Sequence, residues 1–434
     1  MNRIKRNDTD FFFSKVRNGV VHTLSANVVN KIIGMISTMI ITRMLTTSDY
    51  GILSYVLNMY SYLALISGLG LISGNIQFAT ENKGEGKAYS YYKYCLLMGL
   101  LVDIVIVTIS MLLFSNFGLP IEGAKCYILM YIPLLLLEYI IAIIQGILRS
   151  KNQIKEYARL LNINSISIAI GTCGGAFFGV LGVILGRYVA SIITLAYACF
   201  STKKMIGHVK LAAELDKNEK SALWNYSILV GASSAMNLLI YQLDVTLIAV
   251  MVKAAEDVGL YKVGTIIPNA LEFIPSGLVI AILPSIIYHK NEAEWIRKNI
   301  KKTYLYLFLF NTVLTMAVII TAPLIIKIIS GEKYLPALPI FRILTIGYFF
   351  SGTFRGLSVN LLAAFRRVKF GLIVSATTCI MDVIFNYLFI MKFGVIGAAY
   401  ATLLVDIVSA GMSFTYVSIL VKRGEINALM QMDN

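Results

Sequence analysis

The sequence predicts an all-α polytopic membrane protein, with twelve transmembrane helices in two six-helix lobes related by a parallel pseudo-two-fold repeat. Three observations predict it. Hydrophobic residues make up 58% of the 434 and charged residues only 14%, against roughly 25% charged in a soluble domain. The apolar residues come in runs of about 20, the length that crosses a hydrocarbon core of about 30 Å. Finally, features of the first half of the chain recur in the second.

Twelve spans are expected at about 20–42, 52–76, 91–114, 127–148, 160–179, 181–201, 222–251, 263–287, 303–329, 338–363, 370–391 and 395–421. In the first, Thr23, Asn27, Asn30, Lys31, Gly34, Ser37 and Thr38 step by three and four. On a helix they form one polar stripe, which needs something other than lipid to face. Span two carries a weaker stripe of Ser54, Asn58 and Ser61, and span four offers Glu138, Gln145 and Arg149 on one face. Spans three and six lack a long stripe. Span seven matches span one, with Ser227, Gly231, Ser234, Asn237, Tyr241 and Asp244 at helical spacing. Span eight carries Thr265, Asn269, Glu272 and Ser276, and its Pro268, Pro275 and Pro284 favour bends. Span ten offers Arg342, Thr345, Tyr348, Gly352 and Arg355. Spans eleven and twelve likewise lack a long stripe.

The repeat is explicit in places. Phe178-Gly179-Val180-Leu181-Gly182 resembles Phe393-Gly394-Val395-Ile396-Gly397, and each opens the last span of its half. Asp49-Tyr50-Gly51 is echoed by Asp257-Val258-Gly259-Leu260-Tyr261. Six spans per half is an even number, so both halves enter from the same side and the repeat is parallel. The expected division is an N-lobe at 1–201, a linker at 202–221 and a C-lobe at 222–434.

Counted outside the spans, 27 Lys and Arg fall on the side of the termini and seven on the other. The positive-inside rule puts both termini in the cytoplasm. The net charge of +15 is thereby explained as topology, and nucleic acid is not needed as a partner. No short apolar segment with a small-residue cleavage site precedes span one, so that span is expected to direct insertion itself.

Ten ionisable residues lie inside the expected spans: Lys31, Asp103, Glu138, Arg187, Asp244, Glu272, Arg342, Arg355, Asp382 and Asp406. At about 2.5–3.5 kcal/mol each against lipid, most must face one another or water. Those on polar stripes, Lys31, Asp244, Glu272 and Arg355, are the functional candidates. Asp103, Arg187, Asp382 and Asp406 lie in spans without a long stripe and are read as structural.

Other chemistry is disfavoured. The five cysteines are scattered and the three histidines stand apart, so neither metal nor redox cofactor is expected. Gly84-Glu85-Gly86-Lys87 is too short for a P-loop, so ATP is not expected to act on this chain directly. With no large external loop and no mid-membrane histidine, an enzyme of glycan assembly is the least favoured class.

Several motifs together resemble the polysaccharide (O-antigen, Wzx-type) flippases. They are Arg43-x-Leu45 with Asp49-Tyr50-Gly51, Asp244, Val258-Gly259-Leu260-Tyr261, Leu283-Pro284, Gly331-Glu332-Lys333-Tyr334, and Gly394-Val395-Ile396-Gly397-Ala398-Ala399-Tyr400-Ala401-Thr402. The wider superfamily includes multidrug/toxin extrusion transporters and the lipid II flippase. Phe365 and Ala249 stand where glycines are usual, which affects packing or turns.

The resemblance implies a transporter of the bacterial cytoplasmic (inner) membrane. It would move undecaprenyl-pyrophosphate-linked oligosaccharide, the repeat unit of O-antigen lipopolysaccharide, capsule or exopolysaccharide, to the outer leaflet by alternating access. Membrane lipids, a proton or sodium ion, and the glycan polymerase machinery are the expected partners. Lys31 and Arg355 are candidates for the pyrophosphate. Asn27, Asn30, Asn58, Asn237, Tyr241, Asn269 and Tyr348 are candidates for sugar hydroxyls, and Asp244, Glu272 and Glu138 for ion coupling. Lys31 and Asp244 are expected to look into one cavity from opposite lobes. A drug or toxin exporter of the same superfamily is the alternative.

Overall fold

In a computed structural model, the structure describes residues 28–81, 85–203, 214–272, 275, 279, 282, 285, 286, 289, 292–365 and 367–423. Within these, the side chains of 85, 236–241, 293, 363, 364, 368, 369, 372 and 423 are outside the description. Most of the described residues are helical, with no strand among them. Among the described residues, eight helical segments are long and apolar enough to cross a membrane. The chain divides into two compact units, Met1–Gln242 and Leu243–Asn434.

The first unit begins with helix α1 (28–44), followed by α2 (Thr47–Ile66). Thr46 caps α2, its hydroxyl accepting from the Asp49 N–H at 3.0 Å. The second expected span then breaks. A 3₁₀ turn, Ser67–Gly70, with φ of 56° at Gly68 and 45° at Leu69, separates α2 from α3 (Leu71–Glu81). The break is braced by Asp103 of α4 (Glu85–Asn116). Its carboxylate accepts from the Ser67 hydroxyl and the Gly68 N–H, both at 2.7 Å. Asp103 is thus the cap of a broken helix, as its structural reading requires.

Span four is α5 (Ala124–Tyr131) and α6 (Leu134–Ser150), parted at Pro133. Spans five and six are α7 (Ile154–Gly175) and α8 (Gly179–Ser201). These two approach closely through Gly171 and Gly175 against Gly182 and Gly186. A Cβ at Gly186 would lie 1.9 Å from the Gly171 carbonyl oxygen. Such small-residue faces let membrane helices touch backbone to backbone.

Helix α9 (Lys217–Val252) is the seventh span, and its first part belongs to this unit. It crosses the broken second span where Gly70 and Gly74 meet Ser227 and Gly231. A Cβ at Gly74 would fall 2.1 Å from Ser227 Oγ. Asn75 is fully buried beside this crossing, and neither its amide nitrogen nor its oxygen has a hydrogen-bond partner. Near the ends of the third and seventh spans Trp224 Nε1 donates to the Tyr94 hydroxyl at 3.0 Å, and outside the spans Lys87 pairs with Glu219 at 2.5 Å. The Lys87 ammonium holds the Glu219 carboxyl below the usual range.

The second unit contains the end of α9, then α10 (Ala255–Leu271), α11 (Ala293–Ile329) and α12 (Leu338–Phe350). A π-helical turn, Ser351–Arg355, joins α12 to α13 (Gly356–Ala364). Helices α14 (Val368–Phe393) and α15 (Val395–Arg423) complete the unit. The repeated Phe-Gly-Val motif has the same local geometry in both units. Gly179 has φ 71°, ψ −158° and Gly394 has φ 60°, ψ −144°, each reversing the chain between two antiparallel helices. That left-handed conformation is open to glycine at no steric cost. Large apolar side chains of α11, such as Val313, Ile320 and Leu324, are exposed as lipid-facing residues must be.

Candidate functional site

A largely buried polar cluster lies in the second unit, where α9, α10, α14 and α15 supply its members. Asp244 of α9 is its hub. One carboxylate oxygen accepts from the Tyr261 hydroxyl at 2.5 Å and from the Thr402 hydroxyl at 3.1 Å. The other accepts from the Asn386 amide at 2.9 Å. That same amide nitrogen donates to Asp382 Oδ1 at 3.0 Å. One nitrogen therefore bridges two carboxyl groups.

Helical spacing explains the convergence. Asp382 and Asn386 are four residues apart on α14, one turn above the other on a single face. Tyr261 stands in the short helix after α9, inside the repeated Gly259-Leu260-Tyr261 motif. Thr402 ends the glycine-alanine run of α15, whose small residues Ala398, Ala399 and Ala401 are fully buried.

Two oxygens in the cluster are buried with no hydrogen-bond partner, Asp382 Oδ2 and Asn386 Oδ1. Asp382 is only 2% exposed and Asn386 not at all. Two ionised carboxyl groups sharing one amide in a low-dielectric interior repel each other strongly. The arrangement is suited to a proton or to a hard monovalent cation, because every available ligand atom is an oxygen. Among the described residues no group of three His, Cys, Asp or Glu could hold a metal ion.

A second polar set adjoins the first through α15. Asp406 lies one turn beyond Thr402, and its Oδ1 is 3.6 Å from Arg355 Nη1. Arg355 closes the π-helical turn. Ser351, which opens that turn, donates to Glu272 Oε1 at 2.9 Å. Tyr348 donates to Asn311 Oδ1 at 2.8 Å, and Asn311 Nδ2 donates to Thr353 at 3.1 Å. The wider π turn thus turns Ser351, Thr353 and Arg355 towards three different partners.

The remaining sequence candidates are distributed as follows. Lys31 is exposed on α1, and Asn30 is half-buried beside it. Asn27 and the side chains of Asn237 and Tyr241 lie outside the described residues. Asn58 is buried and donates to Gln242, both to its carbonyl at 3.0 Å and to its side-chain oxygen at 2.8 Å. Glu138 pairs with Arg187 at 3.0 Å and accepts from Ser191 at 2.8 Å. Asn269 is exposed, and Tyr348 is buried in the Asn311 network.

Sequence reasoning singled out Asp244, Glu272 and Arg355. It read Asp382 and Asp406 as structural and did not name Asn386. The available signal was the i, i+4 pairing of Asp382 with Asn386 and of Thr402 with Asp406 in helices without a long polar stripe. A search for long stripes passes over such two-residue faces. Tyr261 and Thr402 were inside motifs already noted, but without a role.

The fold is found in other membrane proteins. The chain matches a structure of the lipid II flippase MurJ in an inward closed conformation with a TM-score of 0.74 and 17% identity, covering 94% of this chain and 90% of that one. It matches an inward-facing multidrug resistance MATE family transporter of the MOP superfamily with a TM-score of 0.67 and 15% identity, covering 95% and 99%. An uncharacterized membrane protein of Methanocaldococcus jannaschii is 23% identical over 390 residues, 82% of this chain and 74% of the relative. The profile of the polysaccharide biosynthesis protein family matches residues 16–288, more than half of the sequence. The chain, a multi-pass all-α membrane protein, belongs to that family.

Proposed function

We propose that this protein is a flippase. It carries undecaprenyl-pyrophosphate-linked oligosaccharide from the inner to the outer leaflet of the bacterial cytoplasmic membrane by alternating access. A proton or sodium ion entering the Asp244–Asp382–Asn386 cluster drives the cycle. Both termini face the cytoplasm, and the polymerase that receives the flipped unit acts on the other side. The protein transports and does no covalent chemistry.

The observation that carries this reading is the placement, on one helix, of contacts to both kinds of charge. Thr402 of α15 touches the Asp244 cluster, and Asp406 one turn later lies beside Arg355. The cluster suits a cation, and a guanidinium suits a phosphate-type anion. A lipid-linked pyrophosphate driven by an ion gradient requires both. Lys31, exposed on α1 of the first unit, is a separate basic candidate for the transport path.

One observation favours a different cargo. Asp244, Glu272, Asp382 and Asp406 outnumber Arg355 in this region, a balance that also suits an organic cation, as a drug exporter would need. Complementation separates the two. In a bacterium lacking its O-antigen or capsule flippase, expression should restore surface polymer. Asp244→Asn and the charge reversals Lys31→Glu and Arg355→Glu should each reduce that polymer at least tenfold, with protein still in the membrane. Drug resistance restored without polymer would decide for the exporter. Normal polymer from both reversals would remove Lys31 and Arg355 from the transport path.

A further inference from the structure

The first turns of α4 present bases on two different faces. On one, Lys87 meets an acid, Glu219 of α9, and the Tyr94 ring lies 5.6 Å from the Lys220 ammonium. The other face carries Tyr89, Lys93, Leu97 and Leu101 at intervals of four, one helical turn apart. Leu97 is 54% and Leu101 56% exposed, as side chains against lipid must be. Lys93 is exposed in line with them.

A second base reaches the same line from another helix. Between α6 and α7 the chain turns at residues 151–153, with φ of 55° at Asn152 and the Gln153 N–H donating to the Leu148 carbonyl at 2.8 Å. The turn sets the Lys151 ammonium 4.4 Å from the centroid of the Tyr89 ring and 3.4 Å from its hydroxyl. Tyr92 ties down the end of α6, its hydroxyl 2.5 Å from Ser150 Oγ. Lys151 thus stands over Tyr89, one turn of α4 beyond Lys93, at the head of the exposed apolar stripe.

These bases lack counter-charges. The segment Arg149-Ser150-Lys151-Asn152-Gln153-Ile154-Lys155 contains no acid, and the first acid after it, Glu156, pairs with Arg159. Among the described residues no carboxylate lies within 4 Å of Lys93 or Lys151. An aromatic ring attracts an ammonium group and leaves its net charge in place. Two fixed positive charges therefore border an apolar surface, on the side of the bilayer that the excess of Lys and Arg predicts to be cytoplasmic.

We propose that Lys93 and Lys151 form a docking surface for an anionic phospholipid of that leaflet, its phosphate between the two ammonium groups and its acyl chains along Leu97 and Leu101. A phosphodiester supplies the missing negative charge and offers oxygens to both bases. A soluble anion would use the bases and leave the apolar stripe unoccupied, whereas a lipid uses both. A zwitterionic lipid carries a cation of its own and gains less from the site. The surface lies within the first unit and does not depend on the flippase reading.

The test titrates the full chain, immobilised in detergent micelles, with radiolabelled phosphatidylglycerol or phosphatidylcholine and reads the lipid retained. The wild type should prefer phosphatidylglycerol by roughly tenfold or more, since each Lys beside an anionic headgroup is worth about fivefold. Lys93→Gln and Lys151→Gln should each cut the preference by about fivefold, and the double variant should abolish it. Lys151→Arg should keep it. Lys87→Gln, whose charge Glu219 already balances, should leave it unchanged. If Lys151→Gln does not fold, Lys93→Gln carries the test from an exposed position. Equal affinity of the wild type for both lipids overturns the proposal, as does a preference that survives the double variant. Farnesyl pyrophosphate that binds the wild type more tightly than phosphatidylglycerol, and loses that binding in the double variant, would assign the surface to a cargo headgroup and overturn the proposal too. Failure in either of the first two ways leaves the flippase reading standing.

Discussion

Asp103 and Asp244 show how similar residues diverge once placed. Both are acids inside apolar helices, and composition treats them alike. Asp103 spends its oxygens on Ser67 and Gly68 and holds the break in the second span. Asp244 spends its oxygens on three side chains from three other helices. Asp103→Ala should leave the Gly68 N–H and the Ser67 hydroxyl without their acceptor, at about 1–3 kcal/mol for each group left buried and unpaired. A drop of several degrees in the melting temperature of the detergent-solubilised protein is the expected outcome, and an unchanged melting temperature would refute the bracing role. The stripe on span seven made Asp244 legible. Asp382 and Asn386 were not, because two polar residues one turn apart form too short a face to stand out. The partners of a buried acid come from distant parts of the sequence, and no pattern within one helix names them.

Helices are the level at which the sequence is most readable, because bilayer thickness dictates their length. Each expected span has a described helix, though the first and eighth are described only in part. Breaks within spans were the hidden part. The second span reads as one apolar run, yet it is interrupted at Ser67–Gly70, and the tenth carries a π turn at Ser351–Arg355. Both depend on side chains from other helices, Asp103 in one case and Glu272 and Asp406 in the other. The glycine faces of α7 and α8 permit a sharp test. In Gly186→Val the new Cβ would meet the Gly171 carbonyl oxygen, a backbone atom that cannot turn aside. Overpacking of this kind costs about 1–3 kcal/mol or more. Gly186→Val should lower the melting temperature, while Gly174→Ala, with open space around it, should leave it nearly unchanged.

For the whole molecule, the distribution of charge predicts how the chain is ordered across the bilayer. The excess of Lys and Arg on the side of the termini predicts where each connection lies. Single cysteines in a cysteine-free background test it. A maleimide that cannot cross membranes should label Asn218→Cys in inverted vesicles and not in intact spheroplasts. Lys253→Cys, at the other end of the same helix α9, should show the reverse. Labelling of both from one side would overturn the orientation. The division into twelve spans follows from hydropathy. Which spans surround a site follows from packing, and the sequence carries that only through its weak internal repeat.

The crossing of Gly70 and Gly74 with Ser227 and Gly231 is built at odds with itself. Its backbones fit closely, yet Asn75 and the Ser227 hydroxyl are sealed in without partners. In the language of landscapes the contact is frustrated: shape favours it and polarity opposes it. An opposing term of about 1–3 kcal/mol from such a group shifts the balance between packed and separated helices by roughly five- to 150-fold. Asn75→Leu removes that opposition. It should raise the melting temperature and at the same time slow transport, since a crossing without internal dissent has less reason to come apart. A faster transporter from Asn75→Leu would show that the dissent is not what lets it open.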